Sequence, residues 1–333
     1  MLKVSVIVAV HNNEKDLFRC VSSMVEQTLE DIEIILVDNG STDRSRELMA
    51  DYQSQFPEMI RCEYLEETVG LGQARNRGMG LAQGAYLTFV DAGDYVEPAM
   101  CEELYYAAEG ADICGADYWT EFSGNTRDVY PNYGSGREMN EEKMAVYLNG
   151  CGSFATRIYR REYLQVHKIR FPENIHYEAT YFVFLSALCA DDAVKADGRY
   201  HHICVDTNEL SVTERYQRLN IPSMILSDCK AGSFFEEYKD LIEYKYIAMQ
   251  MGNIRNVCMQ YGLFVNKDQL GKIAGDVRQN LPDFAQNPYY KKAPWNLRVY
   301  LRLTLVSPTL AAFVRLFDWL VNLCGMIHDA IVK

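Results

Sequence analysis

The sequence lacks the features that mark several large classes of protein. No Cys-x-x-Cys pair occurs among its ten cysteines, so neither a zinc site nor a disulfide framework is indicated, and reduced, mostly buried thiols are expected. No signal segment is apparent before the first apolar run. No run of about 18 uncharged apolar residues occurs, which argues against a membrane-spanning helix. These absences together predict a cytoplasmic protein.

Basic residues are too few for a nucleic-acid partner. The chain has 33 lysines and arginines against 46 aspartates and glutamates, a formal net charge of −13. Phosphate backbones need a basic surface, so RNA or DNA binding is not expected. The chain does have length and apolar content, because 333 residues that are 48% hydrophobic can bury a large core and exceed the usual size of one domain. Two parts are expected, over residues 1–215 and 216–333.

The first hundred residues alternate short apolar runs with segments of helical periodicity. This alternation predicts a parallel sheet, and because the first two runs are nearly continuously apolar, helices should cover both of its faces. Asn13 and either Ser41 or Thr42 stand where side chains cap such helices. The predicted strands cover 4–10, 32–37 and 86–90, and the predicted helices cover 14–27, 42–56 and 71–82.

Beyond residue 219 the pattern becomes helical, and the last segment differs in charge from the rest of the chain. Residues 288–333 carry six basic and two acidic side chains, a local charge of +4. In 308–333 the polar residues share one narrow helical face, so the broad apolar face must be covered. Two alternatives remain open. The helix packs on its own domain or on a second copy in a homodimer, or it makes peripheral contact with anionic lipid at the inner face of the cytoplasmic membrane.

Two acids follow the third predicted strand. In an open α/β sheet the ligand crevice lies beyond the carboxyl ends of the strands, which is where Asp91 and Asp94 fall. A carboxylate there escapes the cost of burial only if a cation or a hydrogen-bond donor pairs with it. Both residues are therefore predicted to take part in chemistry or ligand binding.

Four segments, taken in order, resemble glycosyltransferase family 2. They are VSVIVAVHNNE at 4–14, ILVDNGSTD at 35–43, ARNRG at 74–78 and FVDAGD at 89–94. The resemblance covers residues 1–215. It implies a GT-A fold, which is a Rossmann-like, mostly parallel sheet with helices on both faces, followed here by a C-terminal helical extension. It also implies an inverting transfer from a nucleotide-sugar donor that lies across the strand ends.

The resemblance assigns roles to individual residues of the donor site. Ala9, His11 and Glu14 match the positions that hold the base and ribose. Asp38 and Asn39 match a pair at the uracil, whose N–H a carboxylate or an amide oxygen can accept; the alternative for Asp38 is a turn-capping role. Two further residues, Arg75 and Asn76, match the helix that approaches the nucleotide, where an arginine could pair with the diphosphate or with Asp91, or form a surface salt bridge.

The chain departs from the family pattern at three positions. Asn39 stands where the family commonly has a second aspartate. Gly93 occupies the second acidic position of the Asp-x-Asp motif, so a divalent cation, Mn²⁺ or Mg²⁺, would be held by Asp91 with Asp94 beside it. Ala179 stands where an aspartate commonly serves as the base. The nearest candidate to replace it is Glu178, with the more distant His176 and Glu173 behind it.

Some candidate residues keep two interpretations. Glu178 accepts the acceptor's proton, or it only favours the N-terminus of its helix electrostatically. His201 and His202 help at the diphosphate or metal, or they are core groups.

Two functions therefore compete. The first is transfer from a UDP-sugar to a saccharide or lipid-linked acceptor in surface polysaccharide or glycolipid synthesis, with Glu178 and Asp91 as catalytic residues. The second is a catalytically impaired homologue that binds nucleotide sugar or a partner transferase without turnover.

Overall fold

A computed structural model describes the chain at residues 1–122, 126–130, 153–154, 156–173, 178–205, 219–232, 235–261, 267–293 and 295–307. The chain divides into two compact units, Met1–Glu209 and Leu210–Lys333. Two sequence predictions lie outside the described residues: the amphipathic helix at 308–333 and the candidate base His176.

The first unit is built on a mixed sheet. Its described strands follow the order β3-β2-β1-β4-β8-β6-β9-β5, with β7 paired to β6. The first four strands in this order are parallel, β8 runs antiparallel to both of its neighbours, and β9 is parallel to β6. The strands are β1 (Val4–Val10), β2 (Ile32–Asn39), β3 (Ile60–Leu65), β4 (Tyr86–Phe89), β5 (Tyr95–Val96), β6 (Ile113–Phe122), β7 (Thr126–Tyr130), β8 (Arg157–Arg160) and β9 (Ala193–Val205).

The neighbouring strands β1 and β2 are buried at every position. A strand with helices on both faces has no solvent side, which is why these two runs are nearly continuously apolar rather than alternating. The predicted α/β fold with helices on both faces is confirmed. The flanking helices of this unit are α1 (Leu17–Val25), α2 (Ser45–Gln55), α3 (Leu71–Leu81), α4 (Met100–Ala108), α5 (Arg161–Val166) and α6 (Glu178–Leu188).

The first two helices begin later than their sequence pattern predicts. α1 begins at Leu17 and α2 at Ser45, and neither has a side-chain cap. The expected capping role of Asn13 is therefore wrong: its Oδ1 accepts from the His11 N–H at 2.9 Å. The polar residues ahead of both helices form hydrogen bonds within and between the two loops instead. The loops that follow β1 and β2 are therefore longer than predicted.

The second unit is helical in its described residues. Its helices are α7 (Ile221–Ala231), α8 (Phe235–Tyr261), α9 (Lys267–Asn280), α10 (Pro288–Lys292) and α11 (Trp295–Val306), with a short 3₁₀ turn at Phe284–Gln286. No helix within these described segments, or within those of the first unit, is long and apolar enough to cross a membrane. The described cysteines of both units are free thiols.

One carboxylate joins three helices of the second unit. Asp276 on α9 accepts hydrogen bonds from Ser223 on α7 at 2.6 Å, from Tyr246 and Gln250 on α8 at 2.7 and 2.6 Å, and from Asn280 at 2.8 Å. Burial, with Asp276 as a second cause, raises the pKa of Tyr246, so its hydroxyl remains a donor. Four side-chain donors therefore depend on one acceptor.

Replacing Asp276 with alanine is expected to lower the free energy of unfolding by about 3 kcal/mol, because it leaves these donors without their acceptor. Urea unfolding measures the change. Asp228→Ala, at an exposed position on α7, is the control and should cost less than about 0.5 kcal/mol. Equal losses in the two variants would contradict a shared acceptor role for Asp276.

Candidate functional site

The loops that follow β1 and β2 are bonded to each other. Backbone N–H groups at 12, 13 and 14 donate to the side chains of Ser41, Ser45 and Asp43 at 2.9–3.1 Å. In return, the N–H of residue 42 donates to Asn12 Oδ1 at 2.8 Å and that of residue 44 to Glu14 Oε2 at 3.1 Å. The Glu14 carboxylate thus supports a neighbouring loop from an exposed position.

Two other candidates for the base and ribose lie at the end of β1. Ala9 is 8% exposed. His11 is partly buried, and its Nδ1 lies 2.8 Å from the main-chain oxygen of Asn39, which makes Nδ1 the protonated nitrogen in this tautomer. The imidazole thereby links the loop after β1 to the end of β2.

Asp38 is fully buried at the end of β2. It accepts from the N–H of Ser41 at 3.1 Å and from Nε of Arg46 at 2.6 Å. These contacts fit the turn-capping alternative, and the arginine compensates the buried charge. Nothing in the sequence singles out Arg46 for this contact, because it lies on α2 among other exposed polar residues.

Asn39 is also buried, and its amide is paired with the main chain of Val69. Nδ2 donates to the Val69 oxygen and Oδ1 accepts from the Val69 N–H, both at 2.8 Å. Gly40 follows with φ +69°, where a Cβ would lie 2.6 Å from the nitrogen of Thr68. Only glycine fits this close approach.

Arg75 on α3 is the central cation of the site. Its guanidinium donates to Asp91 Oδ1 at 2.7 Å and to Glu178 Oε1, and the rings of Phe154 and Phe171 lie 4.8 and 5.4 Å from it. Burial acts to lower the pKa of Arg75, but the two carboxylates offset this and raise the pKa above its ordinary value. The arginine therefore keeps its charge although only 5% of its side chain is exposed.

The next residue, Asn76, faces the main chain of Phe171. Its Nδ2 donates to the Phe171 oxygen at 2.7 Å and its Oδ1 accepts from the Phe171 N–H at 2.9 Å. A Cβ at Gly78 would lie 2.5 Å from Ile7 Cγ2, so α3 lies close against β1. Asn76 thus holds the segment ahead of α6 against α3.

The two acids after β4 lie in different environments. Asp91 is half exposed, with Arg75 as its partner. Asp94 is buried and accepts from Cys204 N at 2.9 Å and pairs with His201 Nε2 at 3.0 Å. Burial raises the pKa of Asp94, with the hydrogen bond from His201 acting in the opposite direction.

The two histidines of β9 point to opposite faces of the strand. His201 is fully buried, and no described residue pairs with its Nδ1. His202 lies between Glu121 and Glu97, at 2.9 and 2.8 Å, and stacks on Tyr95 at 4.2 Å. His201 is therefore tied to the acidic turn through Asp94, whereas His202 belongs to a separate cluster with two glutamates that the sequence did not indicate.

The carboxylate oxygens available at this edge suit a divalent cation that is held mainly by oxygen atoms of a bound substrate. The described segments contain no group of three histidine, cysteine, aspartate or glutamate side chains arranged around a metal position. Asp91 offers a half-exposed carboxylate, whereas both oxygens of Asp94 already have partners. Mg²⁺ commonly takes one or two carboxylates and completes its shell with phosphate oxygens and water. Asp91 therefore fits such a cation, while Asp94 fits a supporting role.

Residues 178 and 179, at the position where the general base is expected, lie in different environments. Glu178 begins α6, is 6% exposed, and bonds Arg75. Ala179, the next residue of the helix, is partly exposed. Glu173 lies in the described chain ahead of α6, and no hydrogen bond or ion pair places it with Arg75 or Asp91. Arg75, Asp91 and Glu178 are thus brought together, and the glutamate carboxylate has a cation as its partner.

Comparisons with known proteins point to one family. Residues 5–167 match the family described as Glycosyl transferase family 2. The putative glycosyltransferase EpsH of Bacillus subtilis is 29% identical over 250 residues, which are 73% of this chain and 72% of the relative. The cholesterol galactosyltransferase of Borreliella burgdorferi is 32% identical over 196 residues, and the match spans 54% of each chain.

A solved structure has the same fold. The crystal structure of S. aureus TarS 1–349 in complex with UDP-GlcNAc aligns with a TM-score of 0.73 at 18% identity, and covers 94% of this chain and 90% of that one. At this level of identity the likeness concerns the fold. With the family match and the acids at the strand ends, it leads to one assignment. Residues 5–167 form a glycosyltransferase family 2 domain, and the fold is that of GT-A glycosyltransferases.

Proposed function

We propose that this enzyme transfers a sugar from a UDP-linked donor to a hydroxyl of a saccharide or lipid-linked acceptor, with inversion at the anomeric carbon. The observation that carries the proposal is the pairing of Arg75 with the half-exposed Asp91 at the carboxyl end of β4. This end of the sheet is where α/β folds bind nucleotides. The loops after β1 and β2 lie at the same edge, because β4 and β2 are the parallel neighbours of β1.

The donor class is supported by the chemistry of this edge. A diphosphate needs cations, and a divalent ion held at Asp91, a carboxylate that Arg75 keeps in place, would supply that charge. When bound, Mn²⁺ or Mg²⁺ would neutralise the charge that develops on the departing nucleotide. UDP as the nucleotide is supported by TarS, whose structure is a UDP-GlcNAc complex.

The acceptor class rests on the relatives. The cholesterol galactosyltransferase described above is named for a lipid acceptor, which supports a lipid-linked acceptor here. A membrane-borne acceptor would suit the predicted helix at 308–333, whose contact with lipid remains part of the proposal, as does a homodimer.

A second function, binding without turnover, is favoured by one specific observation. The Glu178 carboxylate is buried and already bonded to the Arg75 guanidinium, and Ala179 has no group that can take a proton. The chain would then hold a nucleotide sugar or a partner transferase without transferring the sugar rapidly.

Calorimetric titration of UDP into the full chain tests the donor site. With Mn²⁺ we expect saturable binding, and with a chelator we expect binding at least about tenfold weaker, because a cation held at Asp91 would offset the charge of the diphosphate. Asp91→Asn should remove the Mn²⁺ dependence. Equal affinity for UDP with and without metal, in both proteins, would contradict the proposed cation site.

Measuring UDP release from UDP-sugars then separates the two functions. Metal-dependent UDP binding with release of UDP supports transfer, whereas the same binding without detectable release supports the second function. Absence of UDP binding under both conditions would contradict UDP as the donor nucleotide.

A further inference from the structure

The Asn39 amide has both of its hydrogen-bonding groups engaged with one residue. Its Nδ2 donates to the Val69 oxygen and its Oδ1 accepts from the Val69 N–H. Only 2% of Asn39 is exposed. An amide can donate and accept in this way, whereas a carboxylate can only accept. The amide is thus matched to the main chain of Val69 in a way that an aspartate would not be.

The segment that Asn39 holds lies directly on the turn after β2. We call residues 66–70 the β3–α3 segment. Gly40, in its left-handed conformation, leaves room for the main chain of Thr68, whose hydroxyl donates to the Gly40 oxygen at 3.5 Å. Residues 66–68 are exposed, so this segment forms the solvent side of the donor edge beside the end of β2.

We propose that Asn39 is a positioning residue that holds the β3–α3 segment at the donor edge, and that it does not itself read the nucleobase. The proposal rests on the proposed function, because it concerns the same donor site. It reverses the role that the family resemblance assigned to position 39. Asparagine at position 39 then serves to hold the main chain of Val69 beside the end of β2. It is not a weaker substitute for an aspartate that contacts uracil.

The energetic argument follows from burial. To accept the N–H of a uracil, Asn39 Oδ1 would have to release the Val69 N–H, and turning the amide would also leave the Val69 oxygen without its donor. A buried polar group that loses its partner costs as much as a typical hydrogen bond gains. Reading the base would therefore cancel its own benefit.

The test compares Asn39→Asp with Asn39→Ala in UDP titrations with Mn²⁺. If Asn39 positions the segment, both variants should bind UDP at least about tenfold more weakly than the unmodified chain, and within about threefold of each other. A carboxylate would instead be the better partner for a uracil N–H. UDP binding by Asn39→Asp that equals or exceeds that of the unmodified chain would therefore overturn the proposal.

Hydrogen exchange gives a second measurement that needs no ligand. In both variants, peptides covering the β3–α3 segment should exchange faster than in the unmodified chain. Asn76→Asp is the matched control, because Asn76 makes the same double pairing with Phe171. It should accelerate exchange around residue 171 and leave the β3–α3 segment unchanged. Unchanged exchange at residues 66–70 in both Asn39 variants would overturn the positioning role.

The two measurements separate this proposal from the proposed function. If the unmodified chain does not bind UDP, the proposed donor fails while the exchange result still decides what Asn39 holds. If UDP binds and the exchange at 66–70 does not respond to either Asn39 variant, the positioning role fails and the donor site stands.

Discussion

Replacing Ala179 with aspartate is expected to raise the rate of UDP release from a UDP-sugar by about 10²–10⁴-fold, the usual contribution of a general base. The physical reason lies in the environment of two neighbours. Glu178 is buried and bonded to Arg75, so its carboxylate is held as the partner of a cation. Position 179 is partly exposed, so an aspartate there would lie outside this buried ion pair. The family resemblance places the base at the same position.

Stopped assays of UDP release with UDP-GlcNAc, UDP-glucose and UDP-galactose measure this change. Thr180→Asp is the matched control, because it adds the same charge one residue further along α6, and it should give no gain. Glu178→Gln adds the complementary test. If Ala179→Asp changes the rate by less than about twofold while Glu178→Gln abolishes it without changing UDP affinity, Glu178 is the base after all.

Replacing Arg75 with methionine is expected to lower the free energy of unfolding by about 3–5 kcal/mol, the usual cost of leaving one member of a buried ion pair without its partner. Glu178 would lose the cation that compensates its charge, at a position where only 8% of its side chain is exposed. Asp91 would lose less, because half of its side chain is in water. The loss should therefore come mainly from the glutamate side of the pair.

Two further variants separate the buried charge from general effects of substitution. The double variant Arg75→Met with Glu178→Leu should recover most of the lost stability in urea unfolding, because it removes both charges together. Arg77→Met on the same helix removes an exposed ion pair with Glu63 and should cost only ~0.5 kcal/mol. A double variant as unstable as the single one would contradict the explanation by an unpaired glutamate.

The parts of the fold that the sequence predicts are those that depend on neighbouring residues. The sequence predicts β1, β2 and β4 because buried strands favour mainly apolar runs, which a single sequence displays directly. β3 was not predicted. It lies at the end of the sheet, and most of its side chains are partly or fully exposed, so its sequence IRCEYL carries no clear period.

The candidate site was less predictable, because its contacts join residues far apart in the chain. Motif positions identified Arg75, Asp91 and Glu178, which the structure brings together. Nothing in the sequence states that Asn76 meets residue 171, which is 95 positions away, or that Asp94 meets His201, which is 107 positions away. Amide and carboxylate side chains have many equivalent partners, and only the tertiary fold selects among them. The roles assigned to the individual site residues accordingly remain predictions that the variants above test.

The hydrogen bonds between the loops after β1 and β2 bear on the entropy of donor binding. Five hydrogen bonds between side chains and main chain, all made within the protein, hold residues 12–14 against residues 41–45. A loop that becomes ordered only when a ligand binds loses conformational entropy in that step, and this loss weakens the affinity. A loop that is already ordered in the folded protein does not add this cost to binding. At this edge the ordering cost belongs to the folding of the domain, so a nucleotide that binds at the proposed donor site would meet loops that are already ordered.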